Sequence, residues 1–336
     1  MNLPSRIGGC PVYTDLGAFG GGEPTALTLG RFDGVHEGHR ALLRATLAAA
    51  RESPGTRAVA VTLWPPPEWL LRPTEPRALL TTLHDRLALL ATSGVDAIVV
   101  LSFDREFAQQ SPLEFLTRLR DEAGMRDLVS GPNARIGKGG AGTPSVLRSL
   151  SRELGFRFRE IVWHGPAGTN RSSTIRAALA RGDIAAANGG LGRTYSLEGM
   201  VVRGAGEGLK LGFATANVSH ADWLCVPGDG VYAGLSVADG SEPLRAAISI
   251  GTRPTYGEHP RVVEAHVLDA EGDFYDRPMR LFFVSRLRPQ RTFSDTGALA
   301  EAIAVDIAAV RAAPLPSAET LAPFVRDAHA PAGSVG

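Results

Sequence analysis

Two kinds of hydrophobic pattern divide the chain. In the first half, short unbroken apolar runs alternate with segments whose apolar residues recur at helical spacing. Ala26–Leu29, Ala58–Leu63 (AVAVTL), Asp96–Leu101 (DAIVVL), Asp127–Gly131 and Arg157–Trp163 read as strands. Between them, Arg40–Arg51, Ala78–Leu90, Pro112–Glu122 and Ser145–Leu154 read as helices, the third capped by Ser111. Unbroken apolar strands separated by helices predict a parallel sheet covered on both faces. Near Gly189–Gly192 the pattern changes. Tyr195–Arg203, Gly230–Ala238, Arg245–Ile250, Val262–Leu268 and Met279–Arg286 read as strands set apart by turn residues, and only Thr296–Arg311 reads as a helix. That half predicts a small antiparallel β-barrel with a closing helix. The expected division is 1–187, 188–320 and a tail at 321–336, with no internal repeat and no low-complexity linker.

Composition narrows the field. A chain of 336 residues has room for two domains. Its 35 basic and 35 acidic residues cancel, so the basic excess of a nucleic-acid sheath is missing and no nucleic-acid partner is expected. With 44% hydrophobic and 21% charged residues, bulk disorder is excluded. No apolar run approaches the roughly 18 residues of a membrane helix. The opening MNLPSRIGGC lacks a basic segment followed by an apolar one, so no signal peptide is expected. Cys10 and Cys225 are too few for a disulfide framework or a metal cluster, which suits a reducing cytoplasm. Among the basic residues only Lys138 and Lys210 are lysines; this arginine bias reads as GC-rich coding, not as function.

Candidate chemistry begins directly after the first predicted strand. Gly30, Arg31, Phe32, Asp33, Gly34, Val35, His36, Glu37, Gly38 and His39 join it to the first helix, where an open parallel sheet places its ligands. Glycines let backbone approach a phosphate, and the following helix points N–H groups at the anion. His36 and His39 can face one site and donate to phosphate oxygens. Alone, an HxGH is as readily a Gly-rich turn with two exposed histidines. Three other stretches bear on the same site. Pro65, Pro66 and Pro67 stiffen the loop after the second strand. Asn133 lies in GPNARIGK after the fourth. Arg171, Ser172, Ser173, Thr174, Ile175 and Arg176 open a further helix, where hydroxyls ordinarily cap.

The second half has its own Gly-rich loop. Gly204, Gly206 and Gly208, followed by Lys210 and by Thr215 and Asn217, suit a loop that wraps phosphates. Thr215 and Asn217 offer the oxygen donors that Mg²⁺ prefers. Read alone, the stretch is a flexible hairpin loop.

Taken together, GRFDGVHEGH, LLTTLHDRLALLATSGVDAIVVLSFDREFAQQSPLEFL and RSSTIRAALARGDIAAANGGLGRTYSLEGMVV resemble the bacterial bifunctional riboflavin kinase/FAD synthetases over about residues 26–312. The resemblance implies a Rossmann-like N-terminal nucleotidyltransferase that moves AMP from ATP to FMN. It implies a C-terminal barrel that phosphorylates riboflavin with Mg-ATP. By resemblance, His36 and His39 contact the ATP phosphates with Gly30, Phe32, Asp33 and Gly34 around them. Ser172, Ser173 and Arg176 grip phosphate, and Asn133, Pro65 and Pro67 lie near the flavin. In the barrel, Gly204, Gly206, Gly208 and Lys210 match the phosphate loop, and Thr215 and Asn217 match the Mg-ATP ligands. Glu264, in a VEAHVLD strand, acts on the substrate hydroxyl, a poor nucleophile that a carboxylate can deprotonate during transfer. His266 is read as structural.

The chain departs from the family at specific places. Pro66 replaces a histidine, Ala134 and Ile136 replace two aromatics that could stack on a planar ring, and Arg171 replaces the first serine of its grip. In the kinase loop, Glu207 and Leu209 replace two arginines and Ala214 a proline. In the N-terminal site the residues closest to the phosphates are kept and those shaping the flavin or base pocket are altered; in the kinase loop, positive charge beside the triphosphate is lost, and weaker ATP binding or a different pose is expected. The expectation is flavin nucleotide synthesis from riboflavin, FMN and ATP with Mg²⁺ as cofactor. Three alternatives stand beside it: one active module, a modified flavin or another nucleotide as substrate, and a non-catalytic flavin-binding regulator. A non-flavin nucleotidyltransferase, for example for pantetheine phosphate, would leave residues 195–311 unexplained.

Overall fold

A computed structural model describes residues 3–20, 22–74, 78–161, 171–204, 215–251, 261–270, 273–321 and 323–324. The chain divides into two compact units, Met1–Asn170 and Arg171–Gly336.

The first unit is built on seven strands: β1 (Arg6–Ile7), β2 (Cys10–Tyr13), β3 (Thr25–Leu29), β4 (Arg57–Trp64), β5 (Ala97–Ser102), β6 (Met125–Ser130) and β7 (Arg157–Glu160). They lie in the order β1-β2-β5-β4-β3-β6-β7, parallel except for the β1–β2 pair. Their alternating residues feed two cores. Leu27, Val59, Val61, Val99 and Leu128 pack with Phe115, Leu116 and Leu119 of the helix Pro112–Ala123. On the other face, Ala26, Ala58 and Val129 meet Ala49 and Ala50 of the helix Glu37–Arg51. Burial on both faces is why the strands read as unbroken apolar runs.

Local signals set the helix ends. Ser111 and Glu114 form a capping box, which holds the Glu114 carboxyl below the usual carboxylate range. The helix expected at Ala78–Leu90 starts only at Leu83, with Thr82 as its N-cap accepting from the Asp85 N–H. The expected strand at Asp127–Gly131 is Met125–Ser130. Strands β1 and β2 were not expected; Gly8 and Gly9, both at positive φ, make the tight turn between them.

The second unit opens with helices Ser172–Ala180 and Ile184–Leu191. Six strands follow: β8 (Tyr195–Val202), β9 (Ala216–Ser219), β10 (Gly230–Ala238), β11 (Leu244–Gly251), β12 (Val262–Val267) and β13 (Pro278–Arg288). They close an antiparallel barrel in the order β10-β11-β12-β9-β8-β13. Closure leaves no sheet edge unpaired. Asn188 ties the second helix to the barrel, its amide donating to the Phe283 carbonyl (3.0 Å) and accepting from the Tyr195 N–H (2.8 Å). The closing helix, Thr296–Ala312, is capped by Asp295, and its Val310 packs on Ala233 and Leu268. No helix among the described residues is long and apolar enough to cross a membrane.

Candidate active sites

In the first unit the topology gathers three of the predicted loops. Strands β4, β3 and β6 are parallel neighbours. The turn Gly30–His39, the loop at Pro65 and Pro67 and the loop at Asn133 each follow one of these strands, so all three leave the same end of the sheet. The turn is packed inward: Phe32 and Val35 are buried, as are Asp33 and His36. Phe32, Gly34 and Val35 have φ of 51°, 82° and 38°. A Cβ on Gly30 would meet the Phe32 ring at 3.2 Å, so only glycine lets the ring fold under the turn without displacement.

His36 is the N-cap of the helix Glu37–Arg51, its Nδ1 accepting from the His39 N–H at 3.3 Å. With Nδ1 accepting, the neutral ring carries its proton on Nε2. The His36 and His39 rings stack at 3.7 Å between centroids and 17° between planes, and Phe32 meets His39 edge-on at 5.2 Å. His39 Nδ1 is buried without a hydrogen-bond partner among the described residues. Desolvation, then His36, Arg31 and Arg86, hold the His39 pKa well below the ordinary imidazole value.

Neighbouring segments hold the turn. The Leu80 N–H donates to Asp33 Oδ1 (2.8 Å), and the Gly34 N–H donates to Thr81 Oγ1 (3.2 Å). Thr62 Oγ1 donates to the Arg31 carbonyl (3.2 Å), and Arg31 pairs with Glu68 of the short helix Pro67–Leu71. This ion pair joins the turn to the proline loop, in which Pro65 and Pro67 are partly buried and Pro66 is buried. Asn133 is exposed in its loop. Ile136 is a member of the main core, and the partly buried Ala134 packs against that core.

Ser172, Ser173 and Arg176 fall in the second unit. Ser172 is buried, Ser173 exposed and Arg176 partly buried. The residues alone point to capping by these hydroxyls; Arg171 occupies the N-cap, and its side chain makes no capping hydrogen bond.

In the barrel, register brings the predicted residues together. Glu264 of β12 stands opposite Asn217 of β9 and opposite Ser249 of β11. All three are partly buried, between neighbours that are more deeply buried, as alternation requires for one face of the wall. Gln290 Nε2 donates to Ser249 Oγ at 2.9 Å on the same face. Gly204 lies against Asn217, since a Cβ there would fall 2.1 Å from Asn217 Nδ2. Thr215 directly precedes β9. Gly206, Gly208 and Lys210, with the departures Glu207, Leu209 and Ala214, lie outside the described residues. The sequence reading missed Ser249 and Gln290 as neighbours of Glu264; the SIGTRPT segment holding Ser249 was the available signal. It also missed Arg86, Thr81 and Glu68 around the histidine turn.

Fold and sites define a class: a nucleotidyltransferase-type parallel sheet on one chain with a barrel that sets a carboxylate beside amide and hydroxyl oxygens. Comparison with known proteins makes this specific. The family model for FAD synthetase matches residues 21–175 and that for riboflavin kinase matches 191–313. The bifunctional riboflavin kinase/FMN adenylyltransferase of Escherichia coli (strain K12) is 34% identical over 287 residues, 84% of this chain and 91% of that protein. Its Bacillus subtilis (strain 168) counterpart is 32% identical over 287 residues, 84% and 90% of the two chains. A solved Streptococcus pneumoniae structure, described as a macrolide-efflux protein, matches with a TM-score of 0.81 at 25% identity, covering 89% of this chain and 98% of that one. The chain belongs to the bifunctional riboflavin kinase/FMN adenylyltransferase family.

Proposed function

We propose that this chain makes flavin nucleotides in two steps, phosphorylating riboflavin to FMN and joining FMN to AMP from ATP to give FAD. Its family supports both activities. The observation that carries the residue-level reading is the pairing of Glu264 with Asn217 across β12 and β9, with Gly204 pressed against that amide. In the barrel, Glu264 accepts the proton of the ribityl hydroxyl as its oxygen attacks the γ-phosphorus, and ADP leaves. Thr215 and Asn217 offer the neutral oxygens that Mg²⁺ accepts, leaving Glu264 to the substrate hydroxyl; bound there, the ion would offset phosphate charge. Gly206, Gly208 and Lys210 complete the phosphate loop in this reading.

In the first unit, an FMN phosphate oxygen attacks the α-phosphorus of ATP in line and pyrophosphate leaves, with no covalent intermediate. Nε2–H of His36 and the neutral His39 ring donate to phosphate oxygens, stabilising the charge that builds there. Gly30, Phe32, Asp33 and Gly34 shape the turn around the phosphates. Asn133, Pro65 and Pro67, on adjacent loops, face the flavin. The substrates are small molecules, and two buried thiols, Cys10 and Cys225, suit the cytoplasm.

The test is a time course of the protein with riboflavin, ATP and Mg²⁺, the flavins separated by chromatography. FMN followed by FAD is expected. Glu264→Gln should stop FMN formation and spare FAD formation from added FMN; His36→Ala should do the reverse. Loss of both steps in either variant, or of neither, would refute the assignment.

A further inference from the structure

The helix Leu83–Ala91 carries one cation that its apolar surroundings do not explain. Arg86 is 1% exposed, among the largest fully buried side chains of the chain. Its Nε, Nη1 and Nη2 are all buried, and none has a hydrogen-bond partner among the described residues. The guanidinium lies 5.6 Å from the Trp64 ring centroid. Burial pulls its pKa down from the ordinary guanidinium value, yet an arginine stays charged at any working pH. A buried cation without hydrogen bonds is costly, so its presence requires a compensating charge or a task.

The surrounding charges come from the histidine turn and from the short helix Pro67–Leu71 beside it. Asp33 is the stronger of the two carboxylates that favour the charged guanidinium; Glu68 adds to it and Arg31 opposes it. Asp33 is itself buried and gives Oδ1 to the Leu80 N–H, three residues before the helix that carries Arg86. Thr81 takes the Gly34 N–H, and the Arg86 N–H donates to the Thr82 carbonyl at 3.0 Å. The segment 80–86 therefore grips the turn twice and sets a permanent charge behind it. The turn needs such a grip. Phe32 and Val35 hold positive φ, which non-glycine residues keep only where their surroundings over-determine it.

We propose that Arg86 is a positioning residue for adenylyl transfer: its buried charge, balanced by Asp33, fixes the Phe32–His36 turn and supplies positive potential behind the histidines. This rests on the adenylyl-transfer reading of the first unit. Arg86 acts through Asp33 and the histidine pair and is not itself a catalytic residue.

The experiment compares Arg86→Met with Arg86→Lys in the full-length protein. The two replacements have stems of similar length, so the difference between them reads charge and not volume. In Arg86→Met, kcat/KM for FAD formation from FMN and ATP should fall about 100-fold, the cost of misplacing a reacting geometry. The riboflavin kinase rate of the same chain should not change. Arg86→Lys, assayed at about pH 6 so that a buried ammonium beside Asp33 is charged, should stay within about fivefold of the parent, since only the planar fork is then lost. Parent-like FAD formation in Arg86→Met, or equal loss in both variants, overturns the proposal. If circular dichroism shows the first unit of Arg86→Met to be unfolded, Arg86→Lys decides alone. A folded Arg86→Lys that loses about 100-fold overturns the charge role, and near-parent activity supports it. His36→Ala is run beside them. If it leaves FAD formation intact, the parent reading fails; if it abolishes FAD formation while Arg86→Met is neutral, only the present proposal fails.

Discussion

Gly204 offers a substitution whose effect on activity and on stability should separate cleanly. A Cβ at this position would lie 2.1 Å from Nδ2, 2.6 Å from Cγ and 2.8 Å from Oδ1 of Asn217. Every one of those atoms belongs to a side chain, not to backbone, so Gly204→Ala is accommodated by swinging the amide away. Gly204 is not among the positive-φ glycines, so alanine adds no backbone strain. The folded barrel should lose less than about 1 kcal/mol, part of it returned by a stiffer unfolded chain. The amide, however, must retreat by about 1 Å, and Asn217 faces Glu264 across the β9–β12 pair. A displacement of that size at a phosphoryl-transfer site costs about 100-fold, or about 2.7 kcal/mol of barrier. FMN formation from riboflavin should therefore fall about 100-fold in Gly204→Ala, while FAD formation from added FMN stays at the parent rate and the thermal midpoint barely moves. Both rates come from one chromatographic assay. FMN formation at the parent rate would show that the position of the Asn217 amide does not matter to the kinase step. A matching drop in FAD formation would show that the substitution acts on the whole chain.

Three further outcomes follow from the same geometry. Asp127 is fully buried and takes three hydrogen bonds from Arg157 and Arg159 at 2.7–2.8 Å, so Asp127→Asn should cost about 3 kcal/mol in urea unfolding, and less than about 1 kcal/mol would refute the role of the pair. Gly137 is at φ +74°, and a Cβ there would meet the Pro112 backbone nitrogen at 2.6 Å, so Gly137→Ala should destabilise the first unit by at least about 2 kcal/mol in the same measurement. His39 has a folded pKa well below the unfolded value near 6.5, so only the unfolded chain takes up that proton as pH falls below 6.5. Stability should thus rise with pH up to about 6.5 and level off above it. His39→Gln should flatten that acid-side slope, and a His39 ring titrating at or above 6.5 by NMR would refute the assignment.

The parallel sheet was legible in the sequence because its central strands are buried on both faces and carry no polar interruption. The elements that escaped lack that signal. Arg6–Ile7 and Cys10–Tyr13 are too short for a period and are split by Gly8 and Gly9. Ile184–Leu191 is a helix that contains Gly189 and Gly190, and glycines so placed read as a boundary because they weaken a helix in isolation. Its Asn188 amide, spent on Phe283 and Tyr195, supplies from tertiary structure part of what propensity withholds. Strand β9 was hidden because Ala216–Ser219 was read as part of a ligand loop. Within the sites, the histidine turn was legible as a motif, and the pairing of Glu264 with Asn217 needed the barrel register. Arg86 was not legible at all. A charged residue in a helical pattern is assigned to the solvent side, and nothing in the one-dimensional pattern shows that this one turns inward toward Asp33.

The structure also changes what the departures from the family imply. By the family resemblance Ala134 and Ile136 replace two aromatics, a change that first reads as a reshaped pocket for a planar ring. Ile136 is instead 6% exposed within the main core, and Ala134 packs on that core. Gly142 fits closely around the same segment, since a Cβ on it would meet the Ile136 carbonyl oxygen at 2.8 Å. The exchange of aromatic for smaller aliphatic side chains therefore falls at and beside the packed interior, where lost volume is felt as lost packing. Arg171 is likewise a helix N-cap residue without a side-chain cap. The residues assigned to the chemistry are present, the stacked histidines and Glu264 facing Asn217, while the departures at polar positions, Pro66, Arg171, Glu207 and Leu209, fall among the groups that would bind flavin and phosphate. Divergence at packing and binding positions with the reacting groups kept changes stability and affinity before it changes the reaction. That places any difference from the relatives in how tightly flavin and ATP bind, and leaves the two phosphate transfers themselves as the family performs them.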